Sequence, residues 1–257
     1  MIHYPQIDPV FFSIGPFHFR WYGLMYILGI LLGFLLIRKD LRNKLSLNGD
    51  QIMTLATYII LGIILGGRLG YILFYELPYF LQHPVSIFKI WQGGMSFHGG
   101  AIGAVVSLYA YHTFYKKDFI VLLDLLGYAS PIGLGLGRIG NFINGELLGR
   151  ISKAPWAMIF PEGGPYLRHP SQLYEAFFEG FILFLLLFLC RKHIPLKNGQ
   201  LFSLFLMGYG IFRFMIEFFR EPDLQIGFIF HYFTLGQILC VLMILFGILS
   251  YKRFAKI

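Results

Sequence analysis

The sequence predicts an all-α polytopic membrane protein: seven transmembrane helices, N-terminus outside, C-terminus cytoplasmic, and a small extracytoplasmic head. Three observations carry this. Hydrophobic residues fill 57% of the 257 positions and charged residues only 13%, against roughly 25% charged in an average soluble domain. Charge-poor stretches near the roughly 20 residues that cross a bilayer as a helix recur along the chain. Lys and Arg gather in alternate connecting segments, as they do in cytoplasmic loops. No sustained period-two alternation is present, which argues against a membrane β-barrel.

The spans follow in order: Trp21 to Ile37, Ile52 to Tyr75, Met95 to Tyr115, Phe119 to Gly137, Ser171 to Cys190, Gly199 to Phe219 and Leu224 to Tyr251. The last is long enough to include an interfacial stretch. After spans one, three, five and seven come Arg38, Lys39, Arg42 and Lys44; Lys116 and Lys117; Arg191, Lys192 and Lys197; and Lys252, Arg253 and Lys256. These clusters face the cytoplasm, which places the N-terminus outside and the C-terminus inside. The net charge of +8 then reflects topology and a few functional arginines, and is no argument for nucleic-acid binding. The first twenty residues lack the basic, apolar and small-residue regions of a cleaved signal, so span one is expected to insert and stay. The chain reads as one integral membrane domain, residues 1–257. Its proline- and glycine-rich stretch of about 139–170 forms the head between spans four and five.

Ionisable residues inside a membrane are costly and mark function or helix pairing. Under this topology Arg68, Arg138 and Arg213 all fall in the outer halves of their spans. So do Trp21, Tyr22, Ser96, His98, His169, Ser171, Gln172, Tyr174 and Glu175. The inner halves are apolar runs such as Ile27 to Ile37 and Phe181 to Leu189, with Asp124 interrupting a third. A channel or alternating-access transporter needs polar groups through the midplane; here they collect on one side. Guanidinium forks at lipid-headgroup depth fit a phosphate. Each arginine also has a nearby acid for a purely structural pair: Arg68 with Glu76, Arg138 with Glu146, Arg213 with Glu217. His98, bracketed by glycines in "GGMSFHGG", suits a general base near neutral pH or an interfacial hydrogen bonder. His169, before Pro170 and Ser171 at a helix start, suits positioning as well as catalysis. His3, His18, His83 and His231 read as solvated in outer loops.

Several chemistries are excluded. There is no HExxH, cysteine pair or carboxylate cluster of the kind that binds a metal. Cys190 and Cys240 read as packing residues. Gly-x-Ser-x-Gly and Walker patterns are absent, and "GLGLGRIG" ends a span instead of following a strand, so it is no dinucleotide fingerprint. No cofactor is expected.

The stretch "GLGRIGNFINGELLGR", residues 135–150, closely resembles the signature of the bacterial prolipoprotein diacylglyceryl transferase family. "HFRWYGLMY" (18–26), "GGRLGYILFY" (66–75), "WQGGMSFHGGAIG" (91–103), "RHPSQLYEA" (168–176) and "GYGIFRFMIEFFREPD" (208–223) resemble its other blocks, in order. The resemblance implies seven spans with the N-terminus outside, in the bacterial cytoplasmic (inner) membrane. It also implies transfer of the diacylglyceryl group of phosphatidylglycerol to the lipobox cysteine thiol of a prolipoprotein signal peptide, releasing glycerol phosphate. The sulfur attacks the glyceryl CH2, and arginines on the phosphate stabilise the departing monoester. By this resemblance Arg138 and Arg213 hold the phosphate and His98 is the candidate base. Tyr22, Asn141, Gly149, Tyr209, Glu217 and Arg220 match positions important in the family. Glu146 and Glu175 are expected to hold arginines in place, with Arg68 in support. The alternative is a phospholipid transporter or scramblase using the same arginines. The interval of about thirty residues between the signature and "RHPSQLYE" is the compact end of the family's range.

Overall fold

The computed structural model describes residues 2–15, 17–90, 93–221, 228–229 and 233–256. Trp91, Gln92, His231 and the expected start of span seven at Leu224 lie outside the described residues. The chain forms two compact units, Met1–Ile37 with Asp124–Ile257, and Arg38–Leu123.

Residues 228–229 and 233–234 of the seventh predicted segment are strands, and it becomes helical only at Leu235. It and the other six overlap helices. These are α1 (Trp21–Leu45), α2 (Gly49–Phe74), α4 (Phe97–Tyr115), α5 (Phe119–Asn144), the continuous run Ser171–His193, α8 (Gln200–Ile216) and α9 (Leu235–Ala255), with a short α3 at Leu77–Gln82. Among the described residues five are long and apolar enough to cross a membrane: α1, α2, α5, the Ser171–His193 run and most of α9. The helix α8 is apolar but 17 residues long, and α4, with its His, Ser, Thr and Tyr residues, falls outside that group.

Local chemistry sets the helix ends. Asn48 and Gln51 form a reciprocal capping box at the start of α2, and Thr234 and Gln237 form another at the start of α9, each satisfying backbone donors that the first turn leaves open. That box starts the last helix eleven residues later than the hydropathy pattern suggested. Ser96 caps α4 by accepting from Gly99 N. The Asp118 carboxylate accepts from Ile120 N and Val121 N at the start of α5. Asp124, the acid inside an otherwise apolar run, accepts from Gly199 N at 2.6 Å and Phe202 N at 2.8 Å, so a side chain of α5 caps α8.

The purely helical expectation needs amending in the connecting segments. They hold a three-stranded sheet, β1 (Ile2–His3), β4 (Met158–Ile159) and β5 (Leu167–Arg168), with β1 parallel to β4 and β4 antiparallel to β5. Two hairpins accompany it, β2 (Val10–Ile14) with β3 (Phe17–Arg20), and β6 (Phe228–Ile229) with β7 (Phe233–Thr234). These strands run two to five residues, too short for periodicity to reveal.

Within Arg38–Leu123, α2 and α4 pack backbone to backbone. Gly62 and Gly66 on α2 oppose Gly103 and Gly99 on α4. A Cβ on Gly103 would lie 1.9 Å from the Gly62 carbonyl oxygen, and one on Gly66 would lie 2.3 Å from that of Gly99. Lipid tails are as apolar as leucine, so close van der Waals contact between small-residue faces, not water exclusion, joins such helices. In the other unit Gly29 meets Gly133, and Gly135 meets Gly180, which brings α5 against α1 and against the Ser171–His193 run.

Candidate active site

The signature does not turn at its arginine. The helix α5 continues through Asn144, so Arg138 and Asn141 sit in regular helix, and the first residues of the stretch expected to form the head are still helical. Glycine weakens an isolated helix, but here Gly135 fits against Gly180, and Gly140 seats the Tyr22 ring with a would-be Cβ contact of 3.0 Å. Close packing keeps the glycine-rich turn helical.

The Ser171–His193 run opens as α6 (Ser171–Glu175), widens into a π-helix over Ala176–Ile182, and resumes as α7 (Leu183–His193). Such widened turns are uncommon and cluster at functional positions. This one carries Glu179 four residues after Glu175, which puts both carboxyl groups on the same side of the helix. Both side chains are 0% exposed.

Three arginines converge there. Arg138 Nε lies 3.1 Å from Glu175 Oε2 and 3.8 Å from Glu179 Oε2. Arg213 Nη1 donates to Glu175 Oε1 at 2.8 Å, and its Nη2 pairs with Glu217 Oε2 at 2.8 Å. Arg220 Nη1 approaches Glu175 Oε1 at 3.5 Å. Thr234 donates its hydroxyl to the remaining Glu217 oxygen at 2.9 Å. Tyr209 is buried one turn before Arg213, with its ring stacked on Phe205. Three guanidiniums and three carboxylates are thus gathered from α5, the run beginning at Ser171, and α8 with the residues that follow it. A charge taken out of water needs an opposite charge beside it, and this set supplies the pairing. Arg138 has 12% of its side chain exposed, and its terminal nitrogens make no hydrogen bond to the described residues. A guanidinium anchored through Nε presents that free edge as a two-pronged donor for an oxyanion.

The expected pairs are partly replaced. Arg213 does meet Glu217, and Glu175 does hold arginines. Arg138, however, takes Glu175 and Glu179 instead of Glu146. Glu146 holds asparagines, accepting from Asn141 Nδ2 at 2.7 Å and Asn144 Nδ2 at 3.2 Å. Arg68 does not pair with Glu76. Its guanidinium donates to the carbonyls of Ile87, Gly93, Gly94, Ser86 and Lys89 and lies 5.0 Å from the Phe80 ring centre. It anchors the loop before α4.

The tail of the signature is stitched to the rest of the site by backbone. Gly149 N donates to His169 O, His169 N donates to Arg150 O, and Arg150 N donates to Phe219 O. A Cβ on Gly149 would lie 2.3 Å from the His169 oxygen, so glycine is required for this approach. Gly149 also bridges Arg220, and Arg150 Nε donates to Arg220 O at 2.8 Å. Gln172 donates to Glu146 O, and Ser171 to Leu147 O. His169 shares a hydrogen bond with the Tyr174 hydroxyl at 3.0 Å; burial holds its imidazole below its ordinary pKa, which favours the neutral ring. Tyr22 donates to the Tyr26 hydroxyl at 3.1 Å. His98 is the second residue of α4, exposed and edge-on to Phe97. His98 and Arg68 belong to the Arg38–Leu123 unit; the other candidates belong to the unit containing Arg138.

Sequence reasoning passed over Glu179. Its signal was present, since an acid inside a span is a candidate by default. The widened turn that carries it had no signal in apolar periodicity.

A family profile described as prolipoprotein diacylglyceryl transferase matches residues 9–252. A relative from Geobacter sulfurreducens, named phosphatidylglycerol–prolipoprotein diacylglyceryl transferase, is 50% identical over 249 residues, covering 96% of this chain and 95% of its own. Relatives of the same name from Pseudoalteromonas translucida and Pseudomonas paraeruginosa are each 48% identical, covering 96% of this chain and 92% and 94% of theirs. With the matched span running through every helix that builds the arginine–carboxylate cluster, the chain belongs to the prolipoprotein diacylglyceryl transferase family.

Proposed function

We propose that this protein transfers the diacylglyceryl group of phosphatidylglycerol to the lipobox cysteine thiol of a prolipoprotein signal peptide. A thioether forms and glycerol phosphate leaves. The observation that carries this reading in the structure is the convergence of Arg138, Arg213 and Arg220 on the buried Glu175 carboxylate. A phosphodiester brings one negative charge, and its departing monoester approaches two. Guanidiniums already fixed by carboxylates need no reorganisation as that charge grows, so they favour the transition state over the bound lipid. Arg138, with its free edge, takes the phosphate oxygens, and Arg213 supports it from α8.

His98 is the candidate base for the cysteine thiol, whose attack requires the thiolate. Tyr22, Asn141, Gly149, Tyr209, Glu217, Arg220, Glu146 and His169 shape the lipid site, the polar ones by holding hydrogen bonds and the glycine by close approach. We read the chain as one integral membrane domain of the bacterial cytoplasmic membrane. In it α4 and α8 also span, the N-terminus lies outside, and the arginine cluster opens toward the outer leaflet. The distribution of Lys and Arg supports this orientation.

The test is incubation of the purified protein with phosphatidylglycerol and a lipobox peptide, measuring thioether-linked peptide and released glycerol phosphate together. Both should appear, and both should vanish with a cysteine-to-serine peptide. Undiminished product from Arg138→Ala or Arg213→Ala would remove the assigned site.

A further inference from the structure

Glu179 is left over from the ion pairing just described. Its side chain is 0% exposed, and neither carboxyl oxygen accepts a hydrogen bond from the described residues. Its one charged partner within 4 Å among the described residues is Arg138, at 3.8 Å, beyond hydrogen-bond reach. A buried carboxyl group with no donor is expensive, and structures seldom keep one without a purpose. One helical turn away, Glu175 pairs with guanidiniums from three positions, its Oε1 accepting from Arg213 and Arg220 while its Oε2 has the Arg138 ion pair and no hydrogen bond. Two turns away on the same side, Gln172 Oε1 is also buried without a partner. This face therefore has surplus acceptors and lacks donors.

The anion site beside it, taken as the phosphodiester site proposed above, needs donors, and the arginines supply them. What the Glu179 side would accept is a group that brings hydroxyl protons of its own while attached to a phosphate. The relatives are named for a lipid whose headgroup beyond the phosphate is glycerol, a vicinal diol with two donors. Glu179 is four residues from Glu175 along the run, and Arg138 touches both. A phosphate on the free edge of Arg138 would thus hold its headgroup alcohol within reach of this carboxyl.

We propose that Glu179 is a specificity-determining residue, its two carboxyl oxygens accepting hydrogen bonds from the headgroup diol of the lipid donor. A site built to pair substrate hydroxyls rejects analogues that lack them, because its own buried acceptors then go unpaired. The inference rests on the transferase reading of the arginine cluster.

The experiment compares two donors in vesicles of otherwise identical composition: phosphatidylglycerol, and phosphatidylpropanol, which has the same phosphodiester and no headgroup hydroxyl. Thioether-linked lipobox peptide is measured with the wild type, Glu179→Gln and Glu179→Leu. The wild type should prefer phosphatidylglycerol by about tenfold to a hundredfold in kcat/KM, the range expected for hydrogen bonds to a charged group. Glu179→Leu should lose most of that preference, its kcat/KM falling further on phosphatidylglycerol than on phosphatidylpropanol. Glu179→Gln, which keeps one acceptor, should fall between. Equal losses on both lipids in both variants would make Glu179 a packing or charge-balancing residue and overturn the proposal. So would an unchanged preference. Absence of thioether product from wild type on both lipids would instead overturn the transferase reading, and this inference with it.

Discussion

Arg138 meets Glu175 through its Nε, 3.1 Å from one carboxylate oxygen, while the other oxygen takes Arg213 at 2.8 Å. One buried acid on the run beginning at Ser171 thereby sets the distance between arginines from two other helices. Glu175→Ala should leave guanidiniums crowded without a counter-charge. Breaking a buried pair in this way costs about 3–5 kcal/mol. The expected result is a lower unfolding temperature in detergent together with loss of thioether product.

Arg138→Lys keeps the charge and loses the fork. A lysine ammonium that turns to Glu175 has no second edge for the phosphate. Transferase kcat/KM should fall about 100-fold, close to the loss in Arg138→Ala, since removal of one preorganised donor to a developing charge costs about that much. A lysine variant within a few-fold of wild type would show that charge alone suffices.

The α2–α4 contact predicts a sharp contrast among glycines. Gly103→Ala would drive a methyl group to 1.9 Å from the Gly62 carbonyl, and overpacking of this kind costs about 1–3 kcal/mol or more. Gly23→Ala meets nothing within 4 Å and should be neutral. Thermal unfolding of the two variants in the same detergent separates them.

Tyr4 shares its hydroxyl proton between the carbonyls of Phe142 and Ile143, at 2.8 and 2.6 Å, in the last turn of α5, where Gly145 N also donates to the Phe142 carbonyl. Tyr4→Phe removes the hydroxyl and keeps the ring that packs on Phe142 and Phe160. A loss of about 1 kcal/mol is expected, with faster hydrogen exchange concentrated around residues 142–146.

His169 predicts a pH effect. Burial lowers its pKa in the folded protein, so between that value and about 6.5 the unfolded chain binds more protons. Its contribution to stability is full above about pH 6.5 and is lost as pH falls toward the folded value. The difference in unfolding temperature between wild type and His169→Gln should therefore change between pH 7.5 and pH 5, in the direction of greater acid loss for the wild type.

Much of the helical layout was legible in the sequence, because a membrane span must be long, apolar and nearly free of charge whatever it packs against. The first six expected segments fall on helices and the seventh does so from Leu235, and Glu217 pairs with Arg213 four residues away, as helical spacing alone allows. Asn48 and Gln51, or Thr234 and Gln237, are local signals of the same kind. They carry their own geometry.

Other relationships depended on which helices meet. Arg138 chooses Glu175 over Glu146, although Glu146 is far nearer in sequence. The reason is that α5 stays helical past Arg138, supported by Gly135 on Gly180 and Gly140 on Tyr22, while Asn141 and Asn144 occupy Glu146. Arg68, an evident anion binder by composition, spends its donors on backbone carbonyls of its own unit. Glu179 acquires its meaning only from the packing that brings Arg138 within 3.8 Å of it. Periodicity and charge, being properties of single segments, determined which pieces are helical and which residues carry chemistry; the partners were decided by tertiary structure, because a buried charge takes whichever opposite charge the packed backbones bring within reach.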